Sequence, residues 1–164
     1  KGFADSLRQH QVSENQIPLL TGLTNSLEDA EQLIADDWLA NCEHELGRWF
    51  NQLAKHDDMA FVTVQTGLMP LAHDRDHQAV VLDAIVLLWQ DMLRVKYLSV
   101  EVPAAFPELQ ETMTKLARSL TRKQLLAILT AVLATKKALA GNMNMQSILE
   151  TLTLQILAEL EPQS

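Results

Sequence analysis

Apolar residues recur at three- and four-residue spacing along most of the chain, the pattern of helices that each bury one face. From Asp36 or Asp37, Leu39, Cys42, Leu46, Trp49 and Leu53 trace such a face, while Asn41, Glu45, Arg48, Asn51 and Lys55 fill much of the remainder. Asp57 and Asp58 can cap a following helix through Met59, Phe61, Val62 and Leu68. That helix should stop near Pro70, because proline disfavours helix in the residue before it. His77 to Tyr97 is the most apolar stretch. Val81, Ile85, Leu88, Met92 and Val95 make one stripe and Leu82, Val86, Trp89 and Leu93 a second, leaving Asp83, Gln90 and Arg94 as a narrow polar strip. A helix apolar on two sides needs neighbours on both, which predicts a central position with three or more partners.

Beyond a loop holding Pro103 and Pro107, a shorter helix is expected through Leu109, Met113, Leu116 and Leu120. Thr121 to Gln124 has the form of a capping box and opens a helix with Leu125, Ile128, Leu129, Val132 and Leu133 inward. Lys136 and Lys137 fall in its last turn, where cations suit the negative end of the helix dipole, and Gly141 is the expected C′ residue. A final helix follows Asn144 as N-cap, with Ile148, Leu149, Leu152, Ile156 and Leu160 on one face. Before Asp36 the elements are shorter: Phe3 to about Gln11, Pro18 to about Leu23, and Leu27 to Ile34 behind a Ser26 cap. Helices this short bury little by themselves, so residues 1–35 read as part of a small subdomain leading into a five-helix bundle over 36–164. No convincing strand alternation appears, and the predicted class is all-α.

Composition fits this picture. The chain has 164 residues with 48% hydrophobic and 21% charged, ordinary for a globular domain, and only five Gly and five Pro. Thirteen Lys and Arg against 21 Asp and Glu give a net charge of −8, which speaks against a self-sufficient nucleic-acid binder. A single cysteine, Cys42, excludes an intramolecular disulfide. The longest uninterrupted apolar run, Ala84 to Trp89, is far too short to span a bilayer. No signal peptide is visible, and an opening Lys-Gly-Phe-Ala without a Met fits a chain that is processed, tagged or cut from something longer. The expectation is an acidic, soluble, cytoplasmic piece of protein.

One local cluster carries candidate chemistry, His73-Asp74-Arg75-Asp76-His77. On a helix His73 and His77 would share a face at a spacing able to bind a metal. The His-Asp dipeptides at His56-Asp57 and His73-Asp74 are also similar to those of HD phosphohydrolases, which are all-helical metal enzymes. The opposing reading places both dipeptides between helices, as caps, and that family's further ligands have no clear counterpart here. Cys42 lies on an apolar stripe and His44 faces elsewhere, so the pair does not make a nucleophile and base. Gly-rich phosphate loops, a Walker-type lysine and Gly-x-Ser-x-Gly are all missing from the sequence. Arg118, Arg122, Lys123, Lys136 and Lys137 gather around one helix and could meet a phosphate backbone or an acidic neighbour, although a solvated face explains them as well.

The order of the pieces carries a resemblance. Ala140-Gly141-Asn142-Met143-Asn144-Met145-Gln146-Ser147-Ile148-Leu149-Glu150, followed by Leu152, Leu154 and Ile156, resembles the last helix of bacterial clamp-loader subunits, where Asn-x-Asn-Pro precedes a Leu-rich helix. Leu87 to Lys96 is similar to that family's central helix, and Asp37-Trp38-Leu39 opens a helix like the one before it. Met145 departs from the family's usual Pro but leaves the Asn144 cap in place. The turn Leu23-Thr24-Asn25-Ser26-Leu27-Glu28 has no Arg where ATP-hydrolysing relatives place a phosphate sensor, which favours the delta-prime family over the gamma/tau subunit.

The resemblance implies a non-catalytic collar domain over 36–164, preceded by the end of a lid subdomain over 1–35, within a DNA polymerase III clamp loader. It implies gamma/tau and delta subunits as partners, an indirect association with the sliding clamp and primed DNA, no cofactor, no catalytic or metal-binding residue and no intrinsic activity. Arg and Tyr are enriched at interface hot spots, so Arg94, Lys96 and Tyr97 are the expected interface residues. The alternatives are the gamma/tau collar and an HD-type metal phosphohydrolase.

Overall fold

A computed structural model describes residues 2–97 and 104–161. Among the described residues every regular element is helical, so the all-α expectation holds. The helices are α1 (Gly2–Gln9), α2 (Ile17–Leu23), α3 (Leu27–Ile34), α4 (Trp38–Ala54), α5 (Met59–Thr63), α6 (Arg75–Tyr97), α7 (Gln110–Ser119), α8 (Arg122–Ala140) and α9 (Met145–Leu160). A π turn over Val64–Leu68 continues α5. Pro103 lies outside the described residues.

Helices α4, α9, α8, α6 and α7 pack pairwise in that cyclic order, so each touches two others around a common core. At its centre Phe50 of α4 meets Trp89 of α6 edge to face, with ring centroids 5.5 Å apart. Helix α6 also receives α2, which gives its two apolar stripes neighbours on several sides, as its composition requires. Helix α5 sits against α4 and α9, and α3 against α4. The buried cluster runs without a break from Leu7 to Leu160.

The caps are chemical stops. Thr121 and Gln124 make the reciprocal capping box, Asn144 Oδ1 accepts from Ser147 N at 3.1 Å, and Ser26 Oγ accepts from Asp29 N at 3.3 Å. Helix α8 ends differently from expectation. Gly141 has φ −83° and is the last half-helical residue, whereas Asn142 takes the left-handed conformation at φ 66°. Asn142 N donates to Leu139 O and Met143 N to Ala138 O, the two bonds of a Schellman motif with Asn142 at C′. Gln11 ends α1 and His56 ends α4 by the same pair of bonds.

Two inward faces also need correction. In α8 the buried stripe is Leu125, Ile128, Val132, Thr135 and Leu139, while Leu133 is 59% exposed. Thr135 can be buried because its hydroxyl donates to Val132 O at 2.6 Å. In α5 and its π turn the buried residues are Ala60, Thr63, Val64, Gly67 and Leu68, with Met59 and Val62 exposed. Small residues define that face because α4 comes close: a Cβ on Gly67 would collide with the Glu45 carboxylate, and Thr63 Oγ1 donates to Gln52 Oε1 at 2.6 Å.

Candidate functional site

The start of α6 brings the two candidate histidines together. Asp74 is its N-cap, with Oδ1 accepting from His77 N at 2.8 Å. The same carboxylate lies 2.8 and 2.9 Å from His77 Nδ1 through its two oxygens, and Oδ2 lies 3.3 Å from His73 Nδ1. The imidazole rings lie with centroids 4.4 Å apart, tilted 37° to one another, and His77 leans on Trp38 at 5.0 Å. Hydrogen bonds from His77, backbone first, hold the Asp74 carboxyl below its usual range. One donor atom from each of His73, Asp74 and His77 can be chosen so that all lie within 4.8 Å of one another.

The surrounding chain fixes this cluster. Trp38 Nε1 donates to Leu71 O at 3.0 Å and Gln78 Nε2 to Ala72 O at 3.3 Å, which pins the approach to α6. Arg75 donates to Leu139 O at 2.7 Å and to Asn142 Oδ1 at 3.3 Å, tying the start of α6 to the end of α8. His73 and His77 line one groove of about 480 Å³ with Asp36 and Glu45. Asp74 and His77 line a second, of about 560 Å³, with Asp29 and Asp76. The other dipeptide, His56-Asp57, is a helix junction: Asp57 Oδ1 accepts from Met59 N at 2.9 Å.

The three expected interface residues have unlike surroundings. Arg94 donates to Asp91 Oδ1 at 2.6 Å, Lys96 Nζ donates to Ala117 O at 3.0 Å, and Tyr97 is 49% exposed. Tyr97, Leu93, Arg122, Leu125 and Leu126 line an almost wholly apolar groove of about 330 Å³. Leu126 is 48% exposed and Leu133, two turns on, is more so, which leaves a second apolar stripe on the outside of α8. The basic residues do not form one patch. Lys123 and Lys136 lie at opposite ends of α8, about 20 Å apart at 1.5 Å per residue, and Lys136 is paired with Asp83.

Two acids escaped the sequence reading. Asp91 is 1% exposed and accepts from Ala105 N at 3.1 Å and Phe106 N at 2.8 Å as well as from Arg94, so it moors the chain that leads into α7. Its signal was an acid one position from Met92 on an apolar stripe. Glu43 lies in a groove of about 790 Å³ with Gln16, Arg48, Asn51, Lys55 and Glu108. Desolvation pushes its carboxyl up to about 7, helped by the charge of Glu108 and opposed by the Gln16 amide 3.3 Å away. No local pattern could have shown this, because Gln16 and Glu108 come from distant segments. Cys42 is fully buried, and burial pushes its thiol far up, as the inert reading expects.

A curated relative, subunit delta' of DNA polymerase III from Bacillus subtilis (strain 168), is 27% identical to this chain over 156 residues. The match covers 95% of this chain and 47% of that protein, so the chain spans about half the length of the curated relative it matches. No family model matches the chain, and no solved structure matches it at a significant level. Among the described residues no helix is long and apolar enough to cross a membrane.

Proposed function

We propose that this chain is an architectural part of a delta-prime-type clamp-loader subunit, with residues 36–164 as its collar domain and residues 1–35 as the end of the preceding lid. The observation that carries the reading is the likeness to the Bacillus subtilis delta' subunit along nearly the whole chain. A closed circuit of helices around paired aromatic rings supports it physically, since a close-packed core transmits load without deforming. Two successive left-handed residues, Asp36 at φ 55° and Asp37 at φ 59°, support a division there, because they break the helix between α3 and α4. In this role the chain has no activity of its own. It holds a ring of subunits together so that the ring can load the sliding clamp on primed DNA for the polymerase, in the cytoplasm.

The proposed partners are the collar domains of the gamma/tau and delta subunits. Of the three interface residues, Tyr97 is the one offered outright to a neighbour, and the apolar stripe of Leu126 and Leu133 extends from it. Mixing the chain with those collar domains and measuring the mass of the product by light scattering tests the reading. A stoichiometric hetero-oligomer is expected; a monomer that ignores both partners refutes it. The convergence of His73, Asp74 and His77 favours a second reading, the HD-type phosphohydrolase. That reading requires metal-dependent hydrolysis of phosphate esters, and metal binding without hydrolysis counts against it.

A further inference from the structure

We propose that His73, Asp74 and His77 form a binding site for a divalent transition-metal ion, with Zn²⁺ as the preferred occupant. This goes beyond the architectural role and does not depend on it. Two imidazoles and one carboxylate are the donor set that borderline ions of the Zn²⁺ and Ni²⁺ type prefer over Mg²⁺ or Ca²⁺. The spacing suits such an ion. Ligands about 2.0–2.2 Å from a tetrahedral centre lie roughly 3.3 Å from each other, and the Asp74 Oδ2 contacts to His73 Nδ1 at 3.3 Å and His77 Nδ1 at 2.9 Å are already near that edge length.

The donors are also held in advance. Asp74 is fixed by capping α6 through Oδ1. Its Oδ2, 2.9 Å from His77 Nδ1 and 3.3 Å from His73 Nδ1, is the oxygen that both imidazoles face. An ion bound there takes the place of the proton between Oδ2 and His77 Nδ1. His77 is wedged against Trp38, and the backbone before His73 is pinned by Trp38 and Gln78. Support of this kind from surrounding side chains is what fixes ligand orientation in metal sites. Three protein ligands leave a tetrahedral ion one position short. The groove beside His73 and His77 has room there for a water or for one oxygen of a small anion. A capping aspartate needs neither histidine, and the convergence of both imidazole Nδ1 atoms on its Oδ2 is the feature that capping leaves unexplained.

Equilibrium dialysis of the untagged chain against Zn²⁺, with Co²⁺ absorption as a report on geometry, tests the site. The expected result is one equivalent of Zn²⁺ bound and a tetrahedral Co²⁺ spectrum. His73→Ala and Asp74→Asn should each weaken binding by at least about tenfold, since losing a ligand costs no less than losing a ligand's support. Asn caps a helix as well as Asp does, so the second variant keeps the fold, and unchanged circular dichroism checks this. Replacing His10, His44 or His56 should change nothing. Less than one equivalent bound at millimolar Zn²⁺, or binding indifferent to His73→Ala and Asp74→Asn, overturns the proposal.

Discussion

Trp49 and Trp89 are both completely buried, yet they differ in what their indole N–H groups find. Trp49 Nε1 donates to Thr153 Oγ1 at 3.1 Å, whereas Trp89 Nε1 has no partner among the described residues. Replacing either by Phe removes atoms from a packed core and costs a few kcal/mol in lost contacts. Trp49→Phe additionally removes a hydrogen bond worth about 1 kcal/mol, while Trp89→Phe removes an unpaired donor whose burial costs about 1–3 kcal/mol. Urea denaturation followed by circular dichroism should therefore find Trp89→Phe milder than Trp49→Phe by about 2–4 kcal/mol. Equal losses would mean that the Trp89 N–H is satisfied. At Glu43 the governing quantity is pH. Its folded pKa, raised to about 7 by desolvation, lies above the usual carboxylate value. The folded state therefore holds a proton that the unfolded chain releases, and stability falls as pH rises between about 4.5 and 7. Glu43→Gln keeps an oxygen for Gln16 and removes the titration. Its unfolding free energy should be flatter over that window and about 1 kcal/mol higher than the parent's at pH 7.5, after discounting for the part of the side chain in water. An unchanged pH slope would show that Glu43 titrates normally.

Helix ends show how the chain was and was not legible. Capping boxes and Asn or Ser caps are local chemistry, and Thr121, Asn144 and Ser26 sit where the sequence placed them. The end of α8 was misassigned by one residue because Gly141 precedes Asn142, and either can take a left-handed φ. The structure puts Asn142 there, so Gly141 is free to become Ala: its Cβ would meet nothing closer than 3.5 Å. Gly141→Ala should raise stability by about 0.5–1 kcal/mol through lost unfolded-state entropy, read as an upward shift of the melting temperature. A fall would mean that Gly141, not Asn142, supplies the left-handed turn. The inward faces were legible in α4, α6 and α9, whose large residues define them. They were less so in α5 and α8, where Thr63, Gly67 and Thr135 face inward and Met59, Val62 and Leu133 face out. Hydrophobicity marks which residues gain by burial, but the size of the gap to the neighbouring helix decides which ones fit. The site was half legible for a related reason. His73 and His77 stand out by spacing, whereas Asp91 and the Glu43 groove exist only once remote segments meet.

At the scale of the whole molecule, surface and core make separable predictions. Tyr97 is half exposed while Arg94 is locked to the buried Asp91, so the two should respond oppositely to truncation. Tyr97→Ala should weaken assembly with the proposed partners by mass photometry and leave the bundle's melting unchanged. Arg94→Ala should lower stability by about 1.5–3 kcal/mol, because it removes a charged hydrogen-bond partner from the buried Asp91, which keeps its bonds from Ala105 N and Phe106 N. Assembly indifferent to Tyr97→Ala would move the interface elsewhere on the surface.

The proposed division at residues 35 and 36 has its own test, and the core argues about its outcome. Leu19 and Leu20 of α2 are fully buried, and a Cβ on Gly22 would lie 2.8 Å from Leu87 Cδ1, so α2 is pressed directly onto α6. A subdomain joined to its neighbour through a shared core should unfold with it as one cooperative unit. Leu20→Ala removes a side chain from that junction and should cost about 2–5 kcal/mol. All three tryptophans, Trp38, Trp49 and Trp89, lie after the division, so their fluorescence reports from the bundle side of it. We expect the fluorescence transition to move to lower denaturant together with the circular dichroism. If helicity is lost early while the tryptophan signal keeps its parent midpoint, α1 to α3 are a separately stable unit. Residues 1–35 and the bundle would then be distinct in energy, as the proposed division requires.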